Sequence, residues 1–355
     1  MNILEINTEK TWRGGERQTL YTVQGLSEKG QNVALLCLKN SLLAIKAKQA
    51  GSNVIEVNAQ PGVLFHLLFN AGKYDVIHVQ NSKALVWVVL SKWFHKAPVV
   101  YTRRVDFVPQ GFFTLWKYKQ LDKVIAISEA IRKILEKQGM QEIDVIPSMV
   151  KEQKLNRENA ERIIYQLGLA GKKIIATTAA FVEHKDPHTM VRAIAELKKM
   201  RNDFVFLHFG EGKLMAEIKN EVAKLHLQQE YVFMDFHPDV EDFFSLMDVF
   251  VMSSQEEGLG SSVLDAFLYG VPVASTDAGG LKETVEGYGL VSPVKDHQSL
   301  AASINLLLND EALRTSLTAK AKQRVEEKYS VKRNIEEYLK LFEQIASDAS
   351  RLRSK

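Results

Sequence analysis

Short apolar, β-branched runs alternate with segments of helical periodicity along the whole chain, which predicts parallel strands joined by helical crossovers. In the first half the expected strands are residues 3–6, 33–38, 53–57, 76–79, 99–101, 124–127 and 144–146. In the second half they are residues 174–178, 204–208, 232–234, 249–252, 271–274 and a short 290–291. Each half therefore reads as its own α/β sheet. The break is expected within residues 147–159, which open at Pro147 and run through Lys151-Glu152-Gln153-Lys154 without strand character. The expected division is residues 1–150, residues 151–330 and a helical segment 331–355 that packs back on the first domain. In that segment Ile335, Leu339, Phe342 and Ile345 recur at helical spacing ahead of a frayed basic tail, Arg351 to Lys355.

Composition narrows the class. With 355 residues, 46% apolar and 25% charged, the chain is neither a disordered polymer nor a collagen-like repeat, and it has material for two cores. The cleanest apolar run, residues 84–90, is far shorter than the roughly 20 residues of a membrane-spanning helix. The first ten residues hold no apolar stretch of signal-peptide length, so a cytoplasmic protein is expected. The single Cys37 sits in an apolar strand and reads as a buried thiol. The net charge of +3 hides an asymmetry: residues 1–170 carry 23 Lys and Arg against 15 Asp and Glu, whereas residues 171–355 carry 23 against 28. Either one half faces an anionic partner or two solvated surfaces have drifted apart in charge.

Candidate chemistry collects in glycine-containing turns after strands. Gly14-Gly15 follows the first strand and precedes a helix, where it is either a tight turn or a place for a ligand to meet backbone N–H groups; Glu16 beside it also fits a first-turn acid. Gly210-Glu211-Gly212 lacks the third glycine of the dinucleotide fingerprint, which argues against a nicotinamide enzyme. The densest signal runs from Ser253 to Phe267. There a strand gives way to Glu256, Glu257, Gly258, Leu259 and Gly260, and then to an apolar helix. Such a loop can seat an anion on backbone N–H groups and hold hydroxyls with a carboxylate, which together suggest a sugar phosphate. Ser262 and Asp265 alternatively form a capping box. Gly279-Gly280 repeats the design with Glu283 in the following turn, and Lys185 lies in a loop ahead of Pro187. All three loops follow strands of one expected parallel sheet, so they should share its carboxyl edge, where open α/β sheets bind ligands.

Glu257-Gly258-Leu259-Gly260 with Asp265-Ala266-Phe267, Gly270-Val271-Pro272-Val273 and Gly279-Gly280-Leu281-Lys282-Glu283 resembles the retaining glycosyltransferases of the GT-B fold, which include glycogen-synthase-like and lipopolysaccharide sugar transferases. The likeness extends over nearly the whole chain through Gly14-Gly15-Glu16, the strand Asp75-Val76-Ile77-His78-Val79 and Val145-Ile146-Pro147. It implies two Rossmann-like, doubly wound parallel-sheet domains facing a cleft. A nucleotide-diphosphate sugar would be held by the second domain and an anionic glycan or glycolipid acceptor by the first. The resemblance gives Lys185 the donor diphosphate and Glu257 the sugar hydroxyls. It gives the N–H groups of Leu259, Gly260 and Ser261 phosphate or sugar oxygens, with Glu283 also at the donor, and puts His78 at the cleft; the residues by themselves leave as alternatives Glu283 as a first-turn acid and His78 as a satisfied core histidine. Asp265 stands where the family has the second Glu of its Glu, seven residues, Glu motif, which grips the ribose. The anomeric configuration would be retained, with catalysis resting on position and on stabilising the departing diphosphate. No metal or other cofactor is implied, and there is no Asp-x-Asp sequence.

Three departures bear on that expectation. Asp265 is one methylene shorter than Glu, Ala180 stands where an Arg usually joins the Lys, and Arg104 occupies a typical His position. Arg103 or Arg104 is therefore expected to replace the missing charge, the plainer reading being surface arginines. In the same half Lys83, Lys92, Lys96, Lys117 and Lys119 interleave with Trp87, Trp93, Phe94, Phe112, Phe113 and Trp116. A face of cations and aromatics suits a membrane surface, so contact at the inner face of the membrane is expected and nucleic acid is not. Trp87 and Trp93 also fit the core side of a helix, which leaves residues 112–118 as the better membrane segment. The function expected is sugar transfer in cell-envelope biosynthesis of the lipopolysaccharide type. The alternatives are a nucleotide-sugar epimerase on the same fold and a catalytically silent nucleotide-sugar-binding protein.

Overall fold

A computed structural model describes residues 1–237 and 239–353, apart from the side chains of residues 352 and 353. The chain divides into two compact units, Met1–Met149 with the segment from Lys328 onward, and Val150–Glu327. The first holds 26 Lys and Arg against 16 Asp and Glu and the second 20 against 27, so the charge asymmetry widens to +10 and −7 when the chain is divided where it folds.

In the first unit the elements alternate as β1 (Asn2–Asn7), α1 (Gly14–Glu28), β2 (Asn32–Leu38), α2 (Leu42–Gln49), β3 (Asn53–Val57), α3 (Pro61–Asn70), β4 (Val76–Val79), α4 (Ser82–Ser91), β5 (Val99–Arg103), α5 (Phe112–Lys119), β6 (Lys123–Ala126), α6 (Glu129–Lys137) and β7 (Asp144–Val145). The seven strands are ordered β3-β2-β1-β4-β5-β6-β7 and pair in parallel. In the central strands the β-branched residues are buried from both sides: Ile3, Val76 and Val100 have no exposed surface. Cys37 is in this core, where burial pushes its thiol up to about 11.

The second unit runs α7 (Arg157–Gln166), β8 (Lys173–Thr178), α8 (Pro187–Met200), β9 (Phe204–Phe209), α9 (Met215–Lys224), β10 (Tyr231–Asp235), β11 (Val249–Met252), α10 (Ser261–Leu268), β12 (Val273–Thr276), α11 (Gly280–Val285), β13 (Leu290–Ser292), α12 (His297–Asn309) and α13 (Glu311–Arg324). Its six parallel strands are ordered β10-β9-β8-β11-β12-β13. Every expected strand is present. One is displaced: residues 271–274 become Val273–Thr276, because Pro272 has no N–H for the ladder and contributes only its carbonyl, to Phe250 N at 2.9 Å.

The last helix, α14 (Val331–Arg353), belongs to the first unit and packs on α1 and β4. Ile335, Tyr338 and Phe342 are buried there, and Lys29 pairs with Glu336 at 2.9 Å. Of the expected basic tail, residues 351–353 are helical, and residues 354 and 355 lie outside the described residues. Among the described residues no helix is long and apolar enough to cross a membrane.

Candidate functional site

Strand order locates the binding edge in each unit. In the second sheet the chain leaves β8 toward β9 and β10 and later returns to the other side of β8 as β11. The loops after β8 and β11 therefore diverge at a topological switch point, where open sheets leave a crevice. Lys185 is in the first of these loops and Glu257 in the second. Their side chains form an ion pair, 20% and 14% exposed.

Loop-to-loop hydrogen bonds hold that pair in place. Lys185 ends a short 3-10 turn (Glu183–Lys185), and Asp186 follows in the left-handed region with φ 45°, capping α8 through Thr189 N at 3.1 Å and Thr189 Oγ1 at 2.7 Å. Ser253, at the end of β11, donates its hydroxyl to the carbonyls of Lys185 at 3.1 Å and Asp186 at 2.9 Å. Gln255 N donates to the His184 carbonyl at 2.8 Å. The third loop is joined in turn, by Gly280 N to Glu257 O at 2.7 Å and Thr284 Oγ1 to Leu259 O at 2.8 Å. Gly280 is required there, since a Cβ would stand 2.1 Å from the Gly258 oxygen. Lys185, Glu257, Leu259, Gly260, Ser261 and Glu283 thus lie on three mutually bonded loops and the helices they open.

Gly260, with φ 85°, caps α10, and Ser261 is its first residue. The first N–H groups of such a helix have no carbonyl one turn back and carry the positive end of its dipole. The capping-box alternative for Ser262 and Asp265 is not formed: the Ser262 hydroxyl lies 3.4 Å from the Thr178 carbonyl, and Asp265 is in the second turn, 7% exposed. Glu283 is half-buried in the first turn of α11.

His208, which in the sequence shows only that it lacks a metal-ligand spacing to His226 and His237, supports the first loop from below. It is 2% exposed, stacks on Phe181 at 3.9 Å between centroids, and bonds to Tyr231 Oη at 2.6 Å and the Ala179 carbonyl at 3.0 Å. Gly210 makes the close approach possible, since a Cβ there would lie 2.1 Å from the Ala179 oxygen. Burial holds the His208 imidazole down to about 3. For a base whose folded pKa is depressed, the unfolded chain binds the extra proton between about 6.5 and about 3, so stability falls as pH drops through that window. Between pH 6.5 and 5 the wild type is expected to lose about 2 kcal/mol more than a His208→Gln variant. Parallel urea melts at the two pH values check this, and equal losses would remove His208 as the cause.

In the first unit the switch point falls between β1 and β4. Gly14 and Gly15 open α1 there, with Glu16 accepting from Arg13 N at 2.8 Å. Glu16 thus fills the capping role, and burial raises its pKa. Arg104 lies against Gly15, its Cδ 3.8 Å from where a Cβ would be, and bonds to Gln80 Oε1 at 2.6 Å. Asn81 accepts from Thr8 N at 3.2 Å. Gly14, Gly15, Arg104, Gln80 and Asn81 therefore share one polar edge.

Three expectations are corrected in this unit. His78 is not at a ligand surface: it has no exposed area, its ring nitrogens meet Glu5 Oε1 at 2.8 Å and Thr102 Oγ1 at 2.7 Å, and Tyr338 and Phe342 of α14 pack on the ring. Arg103 cannot replace a missing clamp charge, because it is 4% exposed and its guanidinium donates to Tyr118 Oη at 2.5 Å and to the Phe107 carbonyl. Trp93 is not core: α4 ends at Ser91, and a 3-10 turn leaves that indole 82% exposed, while Trp87 is half-buried. A groove of about 490 Å³ beside Phe112, Trp116 and Lys123 lies at the opposite, amino-terminal end of this sheet and holds none of the expected site residues. Among the described residues no group of three or more His, Cys, Asp or Glu is placed to hold a metal ion.

Two parallel α/β units with loop sites at their switch points define a GT-B architecture. The family description "Glycosyl transferases group 1" matches residues 159–324 and "Glycosyltransferase Family 4" matches residues 12–154. The chain belongs to the group 1 glycosyltransferases. It is 29% identical over 208 residues to a 2-deoxystreptamine glucosyltransferase of Streptomyces kanamyceticus, covering 56% of this chain and 54% of that protein. It is 28% identical over 174 residues to the lipopolysaccharide core biosynthesis glycosyltransferase LpsE of Rhizobium meliloti, covering 48% and 50%. The chain thus spans about half the length of these curated relatives. The fold matches Anabaena Alr3699/HepE, solved with UDP and glucose, at a TM-score of 0.85 and 18% identity over 97% of this chain and 100% of that one. A glycosyltransferase structure from Rickettsia africae matches at 0.84 with 20% identity over 97% and 98%.

Proposed function

We propose that the chain transfers a sugar from a nucleotide-diphosphate donor to a glycan or glycolipid, with retention at the anomeric carbon, in the assembly of an envelope glycan. The Lys185–Glu257 pair beside the start of α10 carries this reading. It sets a cation, a carboxylate and unpaired N–H groups together, matching a diphosphate attached to a polyhydroxyl ring. An ammonium has three donors, so Lys185 can keep Glu257 and still reach a phosphate oxygen. In the transfer the anomeric carbon's bond to the diphosphate breaks, and its electron pair leaves on the phosphate oxygen. The acceptor oxygen bonds to the same face of that carbon and gives its proton to the departing phosphate. Lys185 and the α10 terminus stabilise the charge that develops there, Glu257 orients the sugar, and Asp265 serves the ribose. The second unit takes the donor in this scheme, while Gly14, Gly15 and Arg104 of the basic unit serve the acceptor. The Anabaena protein solved with UDP and the Rhizobium relative named for lipopolysaccharide core biosynthesis support the donor and acceptor classes respectively.

Calorimetric titration with a panel of nucleoside diphosphates and their sugars tests the proposal. One diphosphate should bind wild type, its sugar should bind less tightly to Glu257→Ala, and turnover should release the free diphosphate. If no nucleotide binds, the reading fails; if the sugar is altered without diphosphate release, epimerisation replaces transfer.

A further inference from the structure

The first unit exposes large aromatic side chains on three helical segments that lie on one side of its sheet. Right-handed crossovers running from β3 through β4 and β5 to β6 put α3, α4 and α5 on the same face, opposite α1 and α2. α3 packs on α4 and α4 on α5. Outward from this layer stand Phe65 at 63% and Phe69 at 82% exposed on α3, Trp93 at 82% and Phe94 at 69% after α4, and Phe112 at 81% and Phe113 at 77% on α5. Single exposed apolar residues are ordinary; six aromatics exposed by more than half on adjoining helices mark an interaction surface.

The charge around them selects the partner. Helices α3, α4 and α5 contain no Asp or Glu, and of the Lys and Arg in residues 76–121 Lys96 and Lys119 are exposed, while Arg103 is buried and Lys92 pairs with Asp122 at 2.6 Å. Lys83 on α4 pairs with Glu9 at 2.9 Å, and Lys117 and Lys119 lie in the last turn of α5. A second copy of the chain would bring together two like-charged faces of units that each carry +10. A layer of lipid phosphates answers the lysines, and the acyl boundary beneath it answers the Phe and Trp rings.

We infer that the outer face of α3, α4 and α5 docks on an anionic phospholipid bilayer. The inference deepens the glycolipid-acceptor reading by giving the acceptor a membrane location, yet it is measured independently of transfer. The probe is a pair of vesicle preparations, one of phosphatidylcholine and one with about a third phosphatidylglycerol, mixed with the full chain at low salt and sedimented. The protein should sediment with the anionic vesicles, remain in solution with the neutral ones, and be released by high salt. A Phe69→Ser, Trp93→Ser, Phe112→Ser triple variant should lower the bound fraction at least about tenfold. Its melting temperature should stay within a few degrees of wild type, because these side chains are already in water. A melting temperature well below wild type means the aromatics support the fold and overturns the inference. So does a triple variant that binds as well as wild type, absence of binding to anionic vesicles, or a wild-type dimer without lipid that the triple variant dissociates. Nucleotide titration on the same samples separates the two readings: intact donor binding without vesicle binding removes the docking surface alone, and vesicle binding without any nucleotide binding removes the transferase reading alone.

Discussion

Lys185→Ala is expected to lower turnover about 10²–10³-fold, the usual loss when one preorganised group facing developing charge is removed. The side chain is 20% exposed, and at an effective dielectric near 20 a charge about 4 Å from a leaving phosphate interacts by about 4 kcal/mol. The loop after β11 defines its position, since Ser253 bonds the Lys185 carbonyl and the His184 carbonyl accepts from Gln255 N. Losing the cation therefore loses a placed charge that bulk lysines elsewhere in the chain do not replace. Part of the loss should come from Glu257: without its partner that carboxylate faces an incoming dianion. The Lys185→Ala, Glu257→Ala double variant should consequently be less impaired than the product of the two single effects. Because diphosphate is present in both donor and product, Lys185→Ala should also weaken binding of the nucleoside diphosphate. Steady-state rates and calorimetry on the same preparations check both parts. Turnover within about threefold of wild type would remove Lys185 from the chemistry.

The arrangement of loops around Lys185 and Glu257 was legible because it is local. A strand, a glycine-bearing loop and a helix occur in sequence order, and parallel pairing then places successive loops on one edge, so Lys185, Glu257 and Gly280 come together from topology alone. Boundaries shifted where backbone chemistry intervened, as at Pro272. The unread features depend on distant segments. His78 reads equally as a core histidine or a strand-end ligand until α14 returns to cover it, and Arg103 looks available until Tyr118 and the Phe107 carbonyl take its guanidinium. Neither contact leaves a spacing signature. His208 and Gly210 carry the same lesson from inside a sheet: which carbonyl a ring or an absent Cβ meets is decided by strand neighbours. Exposure of the aromatics was likewise undetermined, because an apolar helix without acids has no polar stripe to show which side faces out.

His78→Ala is expected to cost about 3–5 kcal/mol of folding stability while leaving nucleotide affinity intact. The residue pairs with Glu5 across adjacent strands in direct register, and both side chains have no exposed surface. Thr102 occupies the second ring nitrogen, and Gln80 Nε2 adds a bond to Glu5 Oε2 at 3.0 Å. Truncation leaves Glu5 short of a partner in a place water does not reach, and it opens a cavity beneath Tyr338 and Phe342, the side chains that hold α14 to the sheet. Replacing both members, Glu5→Leu with His78→Leu, removes the buried polar groups together and should recover much of the loss. That recovery distinguishes a structural pair from a catalytic one, since no leucine pair restores a proton donor. Urea melts of the two single variants and the double, beside donor titrations, give the answer. A His78→Ala protein with wild-type stability and severely reduced turnover would return the residue to the active site; a destabilised protein that binds nucleotide normally places its function in fastening α14 to the first unit.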